Sequence, residues 1–494
     1  MKELLTSLDK IIKKDFLREK IILMPSYISG YQLLESLAKK DIKLLNFKIM
    51  SIDDLAYKYL SDYLSEKNLE YIDNTVSFLL VKNIIRRLYN NNKLNYFDKL
   101  ELNDSFIRAL AIAVFDLRKA AKDSKNLSRN DFIKKEKGQD IIKIMKEYEL
   151  LLKTNKYLDK TEILKLFIKR YDENNDEKIY IIPENIELKY IENKVLDKLP
   201  GNSLYNIKIS SDLELKSSIN NLDIEIEGAF GESNEIKGII RKIKENNLDF
   251  DKINIFYTTN EPYTQLLYQL SQKYNLPVTF QNGISIKNTK PAQLLTAIFK
   301  YLSVPYTPSL KSIFSNSFIK IDYRKNEPFK EITSSLDQIK EDNSFISANF
   351  CQKLIEILEN YGLITKDIDG EAKNSLVEVL KKAGNYSEVS ELSEMIFSLE
   401  EMIDDMKVGA ANSKAGYIHF CSYKNGIWNK RKYNFIVGLD EIKFPGQIIE
   451  DPILLDEERK NIRNLDLMKN SNKGKINMMK KLINSIDSNL YLFY

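Results

Sequence analysis

The sequence is short of the residues that interrupt regular structure. Of 494 residues, only 16 are glycine and 11 are proline. Both residues mark turns, so their scarcity favours long helices over a turn-rich β fold. Cysteine is nearly absent: Cys351 and Cys421 are the only two, and no Cys-x-x-Cys pair occurs. A disulfide framework, a zinc site and a cysteine-held iron–sulfur cluster are therefore unsupported, and two reduced, buried thiols are expected. His419 is the single histidine, so any histidine-based acid–base or nucleophilic site would have to use it. Its place between Ile418 and Phe420, in a strand pattern, points instead to the core or to a sheet edge. No run of ~18 apolar residues occurs, so no membrane span is expected. The opening MKELLTSLDKIIKKDF is amphipathic and mixed in charge, unlike a signal peptide. A cytoplasmic location is expected.

Charge of one sign is also missing. The 75 basic side chains nearly balance 71 acidic ones, leaving a net charge of +4. The basic excess common in nucleic-acid-binding proteins is absent globally, so any such surface must come from local clustering. The remaining composition, 43% hydrophobic and 30% charged, is that of a globular chain. The length suggests about three domains.

Strand and helix signals alternate from the start. Ile21-Ile22-Leu23-Met24 reads as a strand stopped by Pro25-Ser26, with a helix pattern from Gly30 through Leu37. Leu44 to Met50 reads as a second strand, and Ser51 to Asp54 has the spacing of a capping box opening a helix. From about 74 to 171 the apolar spacing becomes helical, as in Phe106, Leu110, Ala113 and Leu117. Strands return at Ile179 to Ile182 and around Leu204 to Ile209. The polar stretch Asp212 to Asn221 reads as a connection, and Asn174-Asn175 as a loop. A second α/β block has strand signals at Ile224 to Gly228, Ile253 to Tyr257 and Pro277 to Phe280, with Asn260 as the cap of the helix after Pro262. A further helical stretch, about 291 to 406, precedes strands at Tyr417 to Cys421, Phe435 to Gly438 and Leu490 to Phe493. Two α/β blocks, each interrupted by helices, is the architecture these patterns imply.

Three stretches carry a family likeness. The N-terminal one is Ile22-Leu-Met-Pro-Ser-Tyr-Ile-Ser-Gly-Tyr-Gln-Leu-Leu-Glu35 with Leu45 to Ala56. The second runs from Ile224-Glu-Ile-Glu-Gly-Ala-Phe-Gly-Glu232 through the strand and helix that end at Pro277-Val278. The third and most specific is Phe435-Ile-Val-Gly-Leu-Asp-Glu-Ile-Lys-Phe-Pro-Gly446, followed by Asp451 to Arg459. In this order they resemble AddB-like subunits of the helicase–nuclease family, relatives of UvrD and RecB within superfamily 1 helicases. The likeness covers nearly the whole chain. It implies two RecA-like (P-loop NTPase-like) domains, each with a large helical insertion. The first would span 1–215 with its insertion at about 74–171, and the second 222–494 with its insertion at about 291–406.

Four features of a working motor are missing. No Gly-x-x-x-x-Gly-Lys-Ser/Thr occurs, and Pro25-Ser26-Tyr27-Ile28-Ser29-Gly30 stands where it belongs. Pro183 replaces the aspartate of the magnesium-holding Asp-Glu pair, leaving Glu184 as a solvated or capping residue. Leu482 to Leu490 lacks the late arginine of the family, and no Lys-Gly-Leu-Glu motif is legible between Lys424 and Lys430. No ATP hydrolysis is expected.

AddB-like chains also resemble one another in a C-terminal PD-(D/E)XK nuclease domain that uses magnesium. No such carboxylate cluster is legible before Tyr494, and Asp440-Glu441-Ile442-Lys443 falls within the third family stretch instead. The expected explanation is a truncated chain, with magnesium needed only by the missing domain and no catalytic, metal or cofactor residue in this one. The resemblance implies two partners, DNA and a catalytic AddA-like subunit. Trp428 beside Lys430, Arg431 and Lys432 could stack bases and meet phosphates, with Ser26 and Tyr27 as weaker DNA contacts. Two alternatives stay open: the front part of a metal-dependent exonuclease, and a protein-interaction module that does not bind DNA.

Overall fold

The structure is a computed structural model. It describes residues 2–38, 42, 45–173, 176–184, 186–201, 203–207, 222–303, 307–319, 327–341, 346–386, 391–429 and 431–494. The connection expected over 212–221 and the loop at 174–175 lie outside the described residues.

The strands, in chain order, are β1 Lys20–Leu23, β2 Phe47–Met50, β3 Glu70–Tyr71, β4 Tyr157–Leu158, β5 Ile179–Pro183, β6 Leu204–Ile207 and β7 Ile224–Glu227. They continue as β8 Ile253–Tyr257, β9 Val278–Phe280, β10 Ile284–Ser285, β11 Lys407–Val408, β12 Ile418–Ser422, β13 Tyr433–Val437 and β14 Asn489–Phe493. The helices before β7 include α1 Lys2–Lys14, α2 Tyr27–Ala38, α3 Ile52–Lys67, α4 Asn74–Asn90, α5 Asp104–Lys119, α6 Lys135–Asn155, α7 Lys160–Arg170 and α8 Tyr190–Leu196. Later helices are named below by their residues.

The chain is mixed α/β, with two multi-stranded parallel sheets beside the short parallel pair β3–β4. The smaller has the order β2-β1-β5-β6 and the larger β7-β14-β13-β8-β12-β9. Every neighbouring pair in both is parallel. Strands covered on both faces read as near-continuous apolar runs, and Ile179–Pro183 and Ile253–Tyr257 are buried at every position, the latter with Asn254 hydrogen-bonded to the Asn429 carbonyl and Asn434. Ser51 caps α3 as its spacing implies: its hydroxyl accepts from the Asp54 amide, and the Asp54 carboxylate accepts from the Ser51 amide. At the helix Tyr263–Tyr274 the cap position is held by Pro262, not Asn260. Asn260 acts two residues earlier, its carbonyl accepting from the Thr264 amide at 2.9 Å.

The chain divides into two compact units. The first comprises 1–72, 94–281 and 411–494 and contains both multi-stranded parallel sheets. In it, α3, α7 and α8 cover one face of the smaller sheet, where Leu55, Leu164, Phe167 and Val195 bury. On the other face a single apolar core joins the two sheets. Ile22, Ile179 and Ile181 of the smaller sheet and Leu33 and Leu37 of α2 share it with Phe256, Cys421, Ile436 and Leu490 of the larger sheet. The helix Ser471–Ser485 adds Met478, Met479 and Leu482 to the same core.

The second unit comprises 73–93 and 282–410. Among the described residues it is helical apart from the antiparallel pair β10–β11 and an isolated antiparallel bridge between Ile319 and Gly362. The helices Ser347–Tyr361 and Asp367–Tyr386 pack on one another, with Gly384 set so closely that a Cβ there would stand 3.3 Å from Ala348 and Cys351, and Leu354, Leu358, Leu376 and Leu380 are buried. Its α4 starts on Asp73, whose carboxylate caps Val76 and pairs with Lys382 at 2.6 Å. No described helix is long and apolar enough to cross a membrane.

Candidate functional site: the carboxyl edges of the parallel sheets

Parallel α/β sheets bind ligands in the crevice beyond the carboxyl ends of their strands, so a site is expected at those edges. In the smaller sheet, β1 ends at Leu23 and α2 begins at Tyr27. Three residues cannot wrap a phosphate. The short turn is closed internally, with Ser26 Oγ accepting from the Ser29 amide at 3.3 Å. Gly30 follows because α2 lies hard against β2: a Cβ there would stand 2.4 Å from Ile49 Cγ2.

A cleft of about 160 Å³ opens beside this turn, lined by Pro25, Ser51, Asp53, Lys160, Glu187 and Glu192 among others. Lys160 Nζ lies 2.7 Å from Asp53 and 3.2 Å from Glu192. Burial works to lower the Lys160 pKa, but the two carboxylates outweigh it and hold the ammonium above its ordinary value. Burial lifts the Asp53 carboxyl above the usual range, against the pull of Lys160. One lysine facing three carboxylates makes a site of negative charge, which suits no triphosphate. Glu184, just beyond β5, is exposed.

The segment Gly438 to Gly446 forms the turn beyond β13 in the larger sheet. Gly438 has φ +76, and a Cβ there would meet Thr258 Oγ1 at 2.4 Å. Its carbonyl accepts from the Thr258 hydroxyl at 2.6 Å, and its amide donates to the buried Glu235 at 2.9 Å. Glu235 also accepts from Tyr263 at 2.7 Å, so one carboxylate ties two helices to the turn. Burial and this acceptor hold the Tyr263 phenol far above its ordinary pKa. Lys443 pairs with Asp440 at 2.5 Å and Glu232 at 3.2 Å. Among the described residues, no group of three or more His, Cys, Asp or Glu side chains could hold a metal ion.

The same edge exposes apolar side chains. Phe230, between Gly228 and Gly231 beyond β7, is 97% exposed, and Ile442 is 81% exposed. The adjoining helix Ser471–Ser485 docks on the turn, with Lys475 Nζ donating to the Pro445 carbonyl and Asn472 to that of Gly446.

Of the six residues singled out as DNA contacts, the five that the structure describes are not brought together. Ser26 and Tyr27 are exposed at the carboxyl end of β1. Trp428 to Lys432 precede the amino end of β13. Trp428 is 2% exposed, so it cannot stack on a base and that expectation is corrected. The reason is the tight 426–428 turn, held against the core so closely that a Cβ at Gly426 would meet Phe256 at 2.5 Å. The Arg431 guanidinium is spent on backbone carbonyls of Phe250 at 3.3 Å, Ile253 at 3.0 Å and Tyr417, and is no phosphate clamp. Lys432 is exposed, its ammonium 5.2 Å from the Tyr433 ring centroid. Lys430 lies outside the described residues.

His419 is wholly buried, with Nδ1 2.9 Å from Thr279 Oγ1 and Nε2 3.0 Å from the Gln32 amide. Burial, helped by Arg431, pushes its pKa down to about 3. Both cysteines are buried and free, and burial pushes the Cys351 thiol up to about 12.

Sequence reasoning missed the Lys160 cluster, Glu235 and Phe230. Only Phe230 left a local signal, an aromatic between glycines in Gly228-Ala-Phe-Gly231. Glu235 reads as one more charge on an amphipathic helix until its partners are placed.

No protein-family model matches the chain, and no curated protein matches it.

Proposed function

We propose that this chain is an ATP-dead, helicase-like scaffold that binds DNA within an AddAB-type helicase–nuclease acting in double-strand break repair. In this reading the two parallel sheets are the counterparts of two RecA-like domains. ATP hydrolysis is supplied by an AddA-like partner subunit, and magnesium serves only a nuclease domain outside this chain.

The observation that carries the reading is the three-residue junction between Leu23 and Tyr27. A phosphate-binding motor needs a loop of backbone N–H groups and a lysine at this place. Here the turn is closed on itself, and the nearby lysine is neutralised by Asp53 and Glu192. The shared core supports the same conclusion. Nucleotide-driven motors work by moving one domain against another, whereas these sheets are joined by tightly packed apolar side chains.

The test is binding of this chain to single-stranded and forked DNA across a salt series, with ATP turnover measured alongside. Salt-sensitive binding without turnover is the expected result, because phosphate contacts release counterions. ATP turnover, or no binding to any DNA, overturns the reading.

A further inference from the structure

We infer that single-stranded nucleic acid crosses the carboxyl edge of the six-stranded sheet, with a base against Phe230 and phosphates on Lys473 and Lys480. This rests on the DNA-binding reading above and names the surface that would serve it.

A fully presented aromatic is the first observation. Phe230 is 97% exposed, and no neighbour comes within 4 Å of a Cβ built at Gly231. The side chain therefore contributes nothing to the core and leaves a ring face open. Ile442, 81% exposed, extends the apolar surface from the next loop along the edge. The two loops belong to β7 and β13, which flank β14. Two strand spacings put them about 10 Å apart, and Lys443 spans the gap to Glu232 at 3.2 Å. That lysine also pairs with Asp440, so its single positive charge is shared between two of the carboxylates on this edge and offsets one of them.

The second observation is the charge of the adjoining helix. From Leu467 to Ile486 the chain has no acidic residue and five lysines. In the helix Ser471–Ser485, Met478, Met479 and Leu482 face the core, while Lys473, Ile476, Asn477 and Lys480 are exposed. Positions i, i+4 and i+7 share one face, so Lys473, Asn477 and Lys480 form a single stripe. Neither lysine has an ion-pair partner among the described residues. Seven residues of helix rise about 10 Å, roughly three nucleotide steps of about 3.4 Å along one strand.

The contacts at Pro445 and Gly446 fix this helix beside the apolar edge. An aromatic platform next to a basic stripe fits unstacked bases on a phosphate chain, and it fits without reading sequence. A duplex offers no free base face to Phe230.

The experiment follows binding of the full chain to a fluorescent oligo-dT by anisotropy, from low to high KCl. Phe230→Ala should weaken binding roughly ten-fold while leaving the salt slope unchanged, because stacking involves no counterions. Lys473→Gln with Lys480→Gln should lower the slope by about 0.7 for each phosphate no longer neutralised. Thermal unfolding of the variants checks that the fold is kept. If the parent chain binds and both variants bind identically to it, this inference is wrong and the scaffold reading stands. If the parent binds duplex alone and Phe230→Ala changes nothing, the base platform is wrong. If the parent binds no DNA, the scaffold reading fails and this one with it.

Discussion

The side-chain amide of Gln32 lies 3.0 Å from Nε2 of His419, although 387 positions separate them in the chain. The contact is one of the polar links across the shared core, and it fixes the state of the ring. The Thr279 hydroxyl lies 3.2 Å from the Ile418 carbonyl and can donate to it, leaving Oγ1 to accept from Nδ1–H. Nε2 then accepts from Gln32, so the imidazole is neutral and its hydrogen bonds are complete.

This arrangement makes stability depend on pH. The His419 pKa falls from 6.5 to about 3 on folding, because burial opposes the charge. A depressed folded pKa contributes stability that is present above pH 6.5 and lost as pH falls toward 3. Within that window the unfolded chain binds one more proton than the native one, a slope of about 1.4 kcal/mol per pH unit from this residue. Urea midpoints measured from pH 7 to pH 4 should show that slope on top of the carboxylate contribution. In His419→Gln the added slope should vanish; an unchanged slope would mean the ring reaches water.

Much of the fold was legible in the sequence. Buried parallel strands such as Ile179–Ile182 are uniformly apolar, and helix starts such as Ser51 carry their cap chemistry locally. The grouping of helices was not legible. Periodicity at 74–171 predicts one insertion, yet 73–93 belongs to the compact unit built from 282–410, because periodicity shows an apolar face and not its partner. Trp428 failed for a related reason. A polar, basic neighbourhood reads as a loop, but alternate side chains of one turn can point into the core and into water.

The Gly438 turn should be intolerant of any side chain. Gly438→Ala meets both the positive φ and the 2.4 Å approach of Thr258 Oγ1, so it is expected to destabilise the chain by at least ~1–3 kcal/mol. Glu235→Ala removes the acceptor of both the Gly438 amide and the Tyr263 hydroxyl. Each buried donor left unpaired costs about 1–3 kcal/mol. Tyr263→Phe keeps the amide contact and should cost about 1 kcal/mol. Urea denaturation should rank the three with Tyr263→Phe mildest; a Glu235→Ala chain as stable as its parent would contradict the buried network.

Trp428 is the only tryptophan, so emission excited at the red edge, where tyrosine does not absorb, reports its surroundings alone. Its burial predicts blue-shifted emission, weak quenching by iodide and no quenching when DNA binds. Trp428→Ala should cost about 3–5 kcal/mol, the range for emptying a large aromatic site in a core. Emission near that of free tryptophan, strongly quenched by oligo-dT, would restore the base-stacking role.

Lys137 and Glu458 supply the most exacting test of how the loop beyond β13 is held. Their charged groups are 2.6 Å apart, with Glu458 wholly buried. The lysine also donates to the Ile453 carbonyl at 3.0 Å, and the carboxylate accepts from the amides of Ile133 and Leu455. A buried pair is worth keeping only when its remaining donors and acceptors are satisfied, as they are here. Lys137→Met leaves the carboxylate buried beside an apolar chain. The expected loss is about 3–5 kcal/mol, read as a lower urea midpoint. Glu458→Leu is not a rescue when added to it, because two backbone amides then lose their acceptor. A single variant that costs under about 0.5 kcal/mol would show that Glu458 reaches water, as in an exposed pair, and that α6 and the 450–460 segment are not locked together.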